Sequence, residues 1–196
     1  MKEIGGNVAH TVDFIQGAIT IILALALGEA LKLFVTPHED KPMLWDRLPG
    51  LLAFLFAFFP FFQGMSQYLY LTYLNPVTAP AFYPGYLIFD AVMLVLEAAC
   101  FFVMSRALAP RHWRHFYGAV LALMLIDIGW TALTAHRGIE VRAWLYIDIV
   151  VVAGVALMFL CERGRPLSMR PVYAGLALLM TSTAVSYWLE RNIYFP

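Results

Sequence analysis

Six apolar runs, each long enough to cross a lipid bilayer, most constrain what this chain can fold into. A membrane-spanning helix needs about 20 consecutive, mainly apolar residues. The runs lie approximately at residues 12–35, 51–74, 86–108, 116–136, 142–161 and 172–189. Their apolar character is continuous, which favours helices over the alternating strands of a barrel. We therefore predict an all-α integral membrane protein in which six transmembrane helices, joined by short loops, form one domain over residues 1–196.

The composition agrees with this class. Of 196 residues, 62% are hydrophobic and 13% are charged, and the mean hydropathy is +0.74. The formal net charge is zero, so a nucleic-acid partner has no electrostatic support. Cys100 and Cys161 both fall in apolar runs, which favours free thiols. The composition thus predicts the lipid bilayer as the main partner, in a bacterial inner membrane or an equivalent one.

The distribution of cationic residues predicts the orientation. Because Lys2 precedes an apolar run, the N-terminus resembles a secretory signal, but the run continues to Val35 and is read as a retained first helix. Positive residues concentrate on the cytoplasmic side of membrane proteins. Nine of the 13 lysine and arginine residues lie in or beside the first, third and fifth connections, and the other four are Lys2, Arg137, Arg142 and Arg191. This split predicts that both termini lie outside.

The third run carries two acids, Asp90 and Glu97. Seven residues correspond to nearly two helical turns, so both side chains point the same way, roughly 10 Å apart. An ionised carboxylate facing lipid is costly, and an acid inside the membrane is by default a candidate functional group. The alternative is that both acids are protonated or hydrogen-bonded structural groups.

The acids of the later helices extend this candidate site. Glu97 and Asp127 lie near the middle of consecutive helices, which are usually antiparallel neighbours, so we predict a carboxylate pair. Such a pair holds a proton or a cation. Residues 87–90 resemble residues 145–148, a faint repeat that would place Asp90 and Asp148 at matching depths. Because no lysine or arginine lies centrally in any helix, these four acids predict a path for monovalent cations or protons.

Neutral polar residues form a second group of candidates. In the second run, Gln63 and Gln67 follow Pro60, whose missing amide can loosen the helix and free a carbonyl. The sixth run contains a cluster of hydroxyl groups: Thr181, Ser182, Thr183 and Ser186. Such groups either bridge helices or line a permeation path.

Motifs for catalysis are absent from the sequence. His112 and His115 have side chains suited to a metal, but they lie in a basic loop, where contact with lipid phosphate is the better interpretation. We find no glycine-rich phosphate loop, zinc-protease helix or serine elbow. The sequence therefore predicts no metal site, no cofactor and no catalytic residue.

Two stretches of the first two runs carry a partial motif. Residues 10–17 read HTVDFIQG, and Phe14 and Gly17 match a pattern of arginine, three residues, Phe-Ser-Asp and glycine. His10, Ile15 and Gln16 replace the arginine, serine and aspartate. Residues 54–58 read FLFAF, similar to an aromatic residue, two apolar residues and Ser-Phe, with Gln67 at a following polar position. On these features, the first 100 residues resemble the transmembrane-protein-175 family of potassium channels.

This resemblance implies an oligomeric cation channel with a pore lined by the first helix. The pore candidates are Gln16, Ile19, Ile22 and Leu23. An apolar constriction of this kind can gate by dewetting. The termini of that family are cytoplasmic, opposite to the side that the charge distribution predicts here.

Three classes of function follow. The first is a homo-oligomeric potassium or proton channel, or a cation-coupled transporter. The second is a membrane scaffold or partner subunit whose polar groups only hold helices together. The third is a membrane-embedded enzyme that modifies lipid through the acids and His112 or His115.

Overall fold

Helices make up nearly all of the structure. The computed structural model describes residues 2–36, 47–75, 84–108, 112–134, 142–162 and 168–194, and no strand occurs among them. The elements are α1 (Lys2–Val35), α2 (Leu48–Leu69), a π-helical turn (Tyr70–Leu74), α3 (Pro84–Arg106), α4 (Trp113–Thr134), α5 (Arg142–Cys161), α6 (Met169–Leu189) and α7 (Arg191–Tyr194). The prediction of an all-helical chain is confirmed. Six of these helices are long and apolar enough to cross a membrane.

Several helices begin before the apolar runs that predicted them. α1 begins at Lys2 instead of residue 12, and α6 begins at Met169 instead of residue 172. Pro171 is tolerated near the start of α6 because the first turn of a helix needs no amide donor. Hydropathy locates the apolar part of a helix, whereas backbone hydrogen bonds carry the helix on into its polar flanks. The short α7 was not predicted.

Parts of the sequence predictions fall outside the described residues. These are residues 135–136 of the fourth predicted helix and five of the cations that predicted the orientation: Lys41, Arg111, Arg137, Arg163 and Arg165.

The six long helices pack in a ring. α1 packs against α3, and α3, α4, α5 and α6 follow one another as neighbours. α2 packs mainly against α6 and also contacts α1, which closes the ring. α2 therefore lies out of sequence order, and α1 is placed between α2 and α3.

Aromatic packing joins α2 to α3 in the core. The ring of Phe101 packs edge-on against Phe54 and Phe58, with centroids 6.0 and 5.7 Å apart. Phe54 and Phe101 have no exposed surface. Aromatic pairs in this geometry add to the free energy gained from burial alone.

Hydroxyl groups connect the helices through backbone carbonyls. Pro60 lies inside α2 and has no amide to bond the carbonyl of Phe56, one turn earlier. Thr183 of α6 donates its hydroxyl to that carbonyl at 2.6 Å. Tyr117 of α4 donates likewise to the carbonyl of Val172 on α6 at 2.8 Å. The proline thus frees an acceptor, and a neighbouring helix satisfies it.

Candidate functional site

A partly open cavity of about 120 Å³ lies inside the ring, and we refer to it as the acid cavity. Its wall comes from α2 to α7, and α1 contributes no residue to it. Most of the wall is apolar or aromatic, but three carboxyl groups line it: Glu97 of α3, Asp127 of α4 and Asp148 of α5.

The three acids lie close together. Glu97 and Asp148 are 2% and 5% exposed, and Asp127 is half-buried. Each acid is near enough to the other two for electrostatic repulsion. Because neighbouring buried carboxyl groups do not all ionise at low cost, the arrangement favours a bound proton or cation.

Among the described residues, no basic side chain lines the cavity beside these acids. The lining residues include no lysine, arginine or histidine. Within the described part of the chain, Oε1 of Glu97, Oδ2 of Asp148 and Nε1 of Trp144 have no hydrogen-bond partner. Buried polar atoms without a partner cost free energy. All three residues line the cavity, and the unpaired atoms themselves are almost completely buried in its wall.

Helix α6 adds hydroxyl groups to the wall. Ser182, Thr183 and Ser186 line the cavity, whereas Thr181 is exposed on the outside of the helix. The spacing of these residues explains the difference, since residues four apart share a face of an α-helix and Thr181 is turned away from it. Of the four hydroxyl residues that the sequence singled out on this helix, Thr181 is the one that lies outside the site.

Tyr194 of α7 packs into one part of the cavity wall. Its ring lies 4.4 Å from that of Tyr187 and 6.3 Å from that of Trp144, between centroids. Its hydroxyl is 3.3 Å from Oγ of Ser186. Burial raises the pKa of Tyr194 to about 12, so the phenol is neutral at physiological pH.

Gln63, a predicted path residue, holds this C-terminal segment instead of lining the cavity. Its amide nitrogen donates to the carbonyl of Tyr194, and its amide oxygen accepts from the hydroxyl of Tyr187 at 3.1 Å. Gln67 is half-buried and is not a lining residue either. Gln63 therefore bridges α2 to α6 and α7.

Asp90 belongs to a separate network. Its Oδ2 accepts hydrogen bonds from Tyr68 at 2.7 Å and from Tyr73 at 2.6 Å, and its Oδ1 accepts one from Nε1 of Trp130 at 3.0 Å. The residue has no exposed surface and does not line the cavity. The structure groups Asp148 with Glu97 and Asp127 in the acid cavity, apart from Asp90.

The π-helical turn helps to build this network. Tyr68 and Tyr73 are five residues apart, a spacing that places side chains on different faces of an α-helix. The backbone amide of Asn75 bonds the carbonyl of Tyr70 at 2.9 Å, a step of five residues. This wider turn brings residues five apart closer to one face, so both phenols reach the same carboxylate oxygen.

The helix-1 candidates lie away from the cavity. Ile19 and Leu23 are buried against the chain's own helices, and Ile22 packs against the same core. Gln16 donates to Oγ of Ser66 on α2 at 3.2 Å. These four residues thus contribute to helix packing within one copy of the chain.

The aromatic residues in the wall of the site were not predicted from the sequence. Tyr68 and Trp130 line the cavity and also donate to Asp90, and they separate that acid from the other three. A tryptophan or tyrosine within an apolar run usually finds a hydrogen-bond partner. The positions of Trp130 and Tyr68 in apolar runs therefore indicated buried hydrogen bonds, but they did not indicate that Asp90 is the acceptor.

The chemistry of the site defines a broad class of molecule. Among the described residues, no group of three or more histidines, cysteines, aspartates or glutamates is placed to hold a metal ion. The described part of the chain is an all-helical bundle around a partly open cavity that three acids line. The chain matches no protein-family model, no curated protein and no solved structure.

Proposed function

We propose that this chain is an integral membrane protein that conducts or carries cations or protons through the acid cavity. The six apolar helices support membrane insertion, because each is long enough to cross and can satisfy its own backbone hydrogen bonds. Charged groups within such a bundle face the interior and mark ion pathways or proton relays. The acid cavity is the feature of this bundle that fits that role.

The observation that carries the proposal is the concentration of buried acids without a base. Glu97, Asp127 and Asp148 line one cavity, and no residue that the structure describes in its wall is cationic. Ionising three neighbouring carboxyl groups there is unfavourable unless positive charge enters. Protons or a cation therefore compensate the negative charge of the acids in the cavity, whereas an anion is repelled.

The proposed path does not follow the buried residues of α1. Ile19 and Leu23 are enclosed by the chain's own helices. A pore formed between copies by α1, as in the channel family that the first two helices resemble, would instead use its exposed side chains. The large apolar ones are Phe14, Ile21, Leu25, Leu31 and Val35.

A flux assay in liposomes tests the proposal. The purified protein should pass at least one of potassium, sodium or protons. Glu97→Gln together with Asp148→Asn should reduce that flux about tenfold or more, because hydrogen bonds to a charged group contribute about 1.5–3 kcal/mol each. Asp13→Asn is the matched control, since Asp13 is an exposed acid on α1, outside the cavity.

Two other results would replace the proposal. If the folded protein passes none of these ions and the substitutions change only oligomer size or thermal stability, the chain is a scaffold or partner subunit. If purified protein turns over lipid in a manner that depends on the acids, the membrane-enzyme hypothesis takes its place.

The orientation in the membrane is part of the same proposal. The nine-to-four distribution of cations supports termini outside. An amine-reactive label that cannot cross the membrane should then modify Lys2 in intact cells. Protection of Lys2 until the membrane is opened would reverse this orientation and agree with the channel resemblance.

A further inference from the structure

We infer that the acid cavity recognises a small organic cation, with an ammonium head on the three acids and a short apolar body against the aromatic wall. This inference rests on the proposed function, because it names the class of ion that the cavity takes. Three independent features of the cavity carry it: its unpaired acceptors, its apolar wall and its size.

The unpaired acceptors fit an ammonium head. Oε1 of Glu97 and Oδ2 of Asp148 are buried, have no partner among the described residues and belong to residues that line the cavity. A primary ammonium group offers three N–H donors and no acceptor. Bonds between an ammonium and a carboxylate are charge-assisted, and they are about twice as strong as bonds between neutral groups.

The rest of the wall suits carbon better than a bare metal ion. A metal ion must exchange its hydration shell for oxygen ligands, but the acid cavity is mostly bounded by carbon atoms. Phe56, Phe61, Tyr68, Trp130 and Trp144 all line it. Aromatic faces attract organic cations, and the apolar part of such a ligand gains free energy by leaving water. The wall therefore favours a cation that carries an apolar body.

The volume limits the length of that body. An engineered apolar cavity of about 150 Å³ in another protein holds benzene, which has six non-hydrogen atoms. By that standard, the acid cavity of about 120 Å³ holds about five. Butylammonium has this size, whereas octylammonium is too long to be enclosed.

Binding of the cation displaces a proton. When an ammonium ion binds at a protonated carboxyl group, the carboxyl proton leaves to solvent and the ammonium–carboxylate pair remains. Among the described residues, the titratable groups that line the cavity are Glu97 of α3, Asp127 of α4, Asp148 of α5, Tyr68 of α2 and Tyr194 of α7, and the polar groups that α6 adds are hydroxyls. Cation and proton compete for the acids, so binding should weaken as the pH falls.

Isothermal titration calorimetry of the purified protein in detergent measures the contributions of the ammonium head and of the apolar body to binding separately. The probes are butylammonium, butanol as its neutral counterpart, ammonium as the head alone, and potassium. Butylammonium should bind at least about tenfold more tightly than each of the others. From ethylammonium to butylammonium, affinity should rise about fourfold per methylene group. Octylammonium should gain nothing further.

Variants then assign the binding to the acid cavity. Glu97→Gln and Asp148→Asn should each weaken butylammonium binding about tenfold or more. Asp13→Asn should leave it unchanged, since this exposed acid lies outside the cavity. Ser182→Leu reduces the cavity from α6 without removing an acid and should shift the preference to shorter amines. Proton release during titration in weakly buffered solution provides a second measurement on the unmodified protein.

The outcomes distinguish this inference from the proposed function. Equal binding of butanol, ammonium or potassium would overturn the organic-cation inference, as would binding that persists in Glu97→Gln and Asp148→Asn or releases no proton. If amines do not bind but ion flux still depends on the acids, the inference fails and the proposed function stands. If amines bind as expected and no inorganic ion passes, the inference stands and transport of inorganic ions is excluded.

Discussion

Asp90 and Glu97 lie on the same helix and are almost equally buried, yet their surroundings are opposite. Asp90 has no exposed surface and accepts hydrogen bonds from two phenols and an indole. Glu97 is 2% exposed, has one oxygen without a partner among the described residues, and faces two other carboxyl groups. Burial alone therefore does not identify a functional acid. The partners decide whether a buried acid is structural or available to a ligand.

The difference arises from the helices that each acid faces. Asp90 meets the end of α2, its π-helical turn and Trp130 of α4, which together present three donors. Glu97 meets Asp127 and Asp148, which present carboxyl groups. Two positions on one helix thus have different chemistry because the neighbouring helices differ along its length.

Replacing Asp90 should have the largest effect on stability. Asp90→Ala leaves the hydroxyls of Tyr68 and Tyr73 and the indole N–H of Trp130 without their acceptor. Each buried group left unpaired costs about 1–3 kcal/mol, so we expect the free energy of unfolding to fall by roughly 3 kcal/mol or more. Unfolding of the purified protein in detergent measures it, with Asp13→Asn as the exposed control. A loss no larger than that of the control would contradict the structural role of Asp90.

Disturbing the packing between α4 and α6 should cause the next largest loss of stability. A Cβ atom at Gly175 would lie 2.5 Å from Cε1 and Cζ of Tyr117. The hydrogen bond to Val172 fixes that ring, so Gly175→Ala should cost about 2 kcal/mol of stability. Because α4 and α6 both border the acid cavity, the variant should also weaken ligand binding there.

Gly154→Ala is the matched control for this packing. Its nearest neighbour, also at 2.5 Å, is Cδ2 of Leu178, the end of a flexible side chain that can rotate away. We expect a smaller loss of stability than for Gly175→Ala. Equally small losses in the two variants would show that the ring of Tyr117 is free to move, and equally large ones that Leu178 is held as firmly as that ring.

Removing a single hydrogen-bond donor to Asp90 should have a smaller effect on stability. The two phenol donors also distinguish the Asp90 network from the acid cavity. Tyr73→Phe and Tyr68→Phe each remove one hydrogen bond to a carboxylate, which is expected to cost about 1.5 kcal/mol. Tyr68 also lines the acid cavity, whereas Tyr73 does not. Tyr68→Phe should therefore alter ligand affinity as well as stability, and Tyr73→Phe stability alone. Thermal unfolding and butylammonium titration of both variants provide the comparison.

Replacing Glu97 should have the smallest effect on stability. Glu97→Gln keeps the shape of the side chain and removes its repulsion with Asp127 and Asp148. We expect the free energy of unfolding to stay within about 0.5 kcal/mol of the original value or to rise. A loss as large as that of Asp90→Ala would mean that both acids are structural, and the contrast between them would disappear.

Much of the fold could be predicted from the sequence, but less of the site. The apolar runs located six helices, and the ends of α1, α5 and α6 at Val35, Cys161 and Leu189 agree with the prediction. The meeting of Glu97 and Asp127 follows from their positions on consecutive helices. The addition of Asp148 and the separation of Asp90 do not follow, because both depend on how helices rotate about their own axes.

The sequence by itself determined that the chain forms six apolar helices and that its interior contains acids without central bases. Length and hydropathy are local properties, so they can be read along the chain. Only the tertiary structure decided which acids meet, that three donors surround Asp90, and that α1 takes no part in the acid cavity. The reason is physical: helices that are apolar on all sides have no amphipathic stripe that would determine which side faces the interior. Their order and rotation are therefore set by packing between distant parts of the chain.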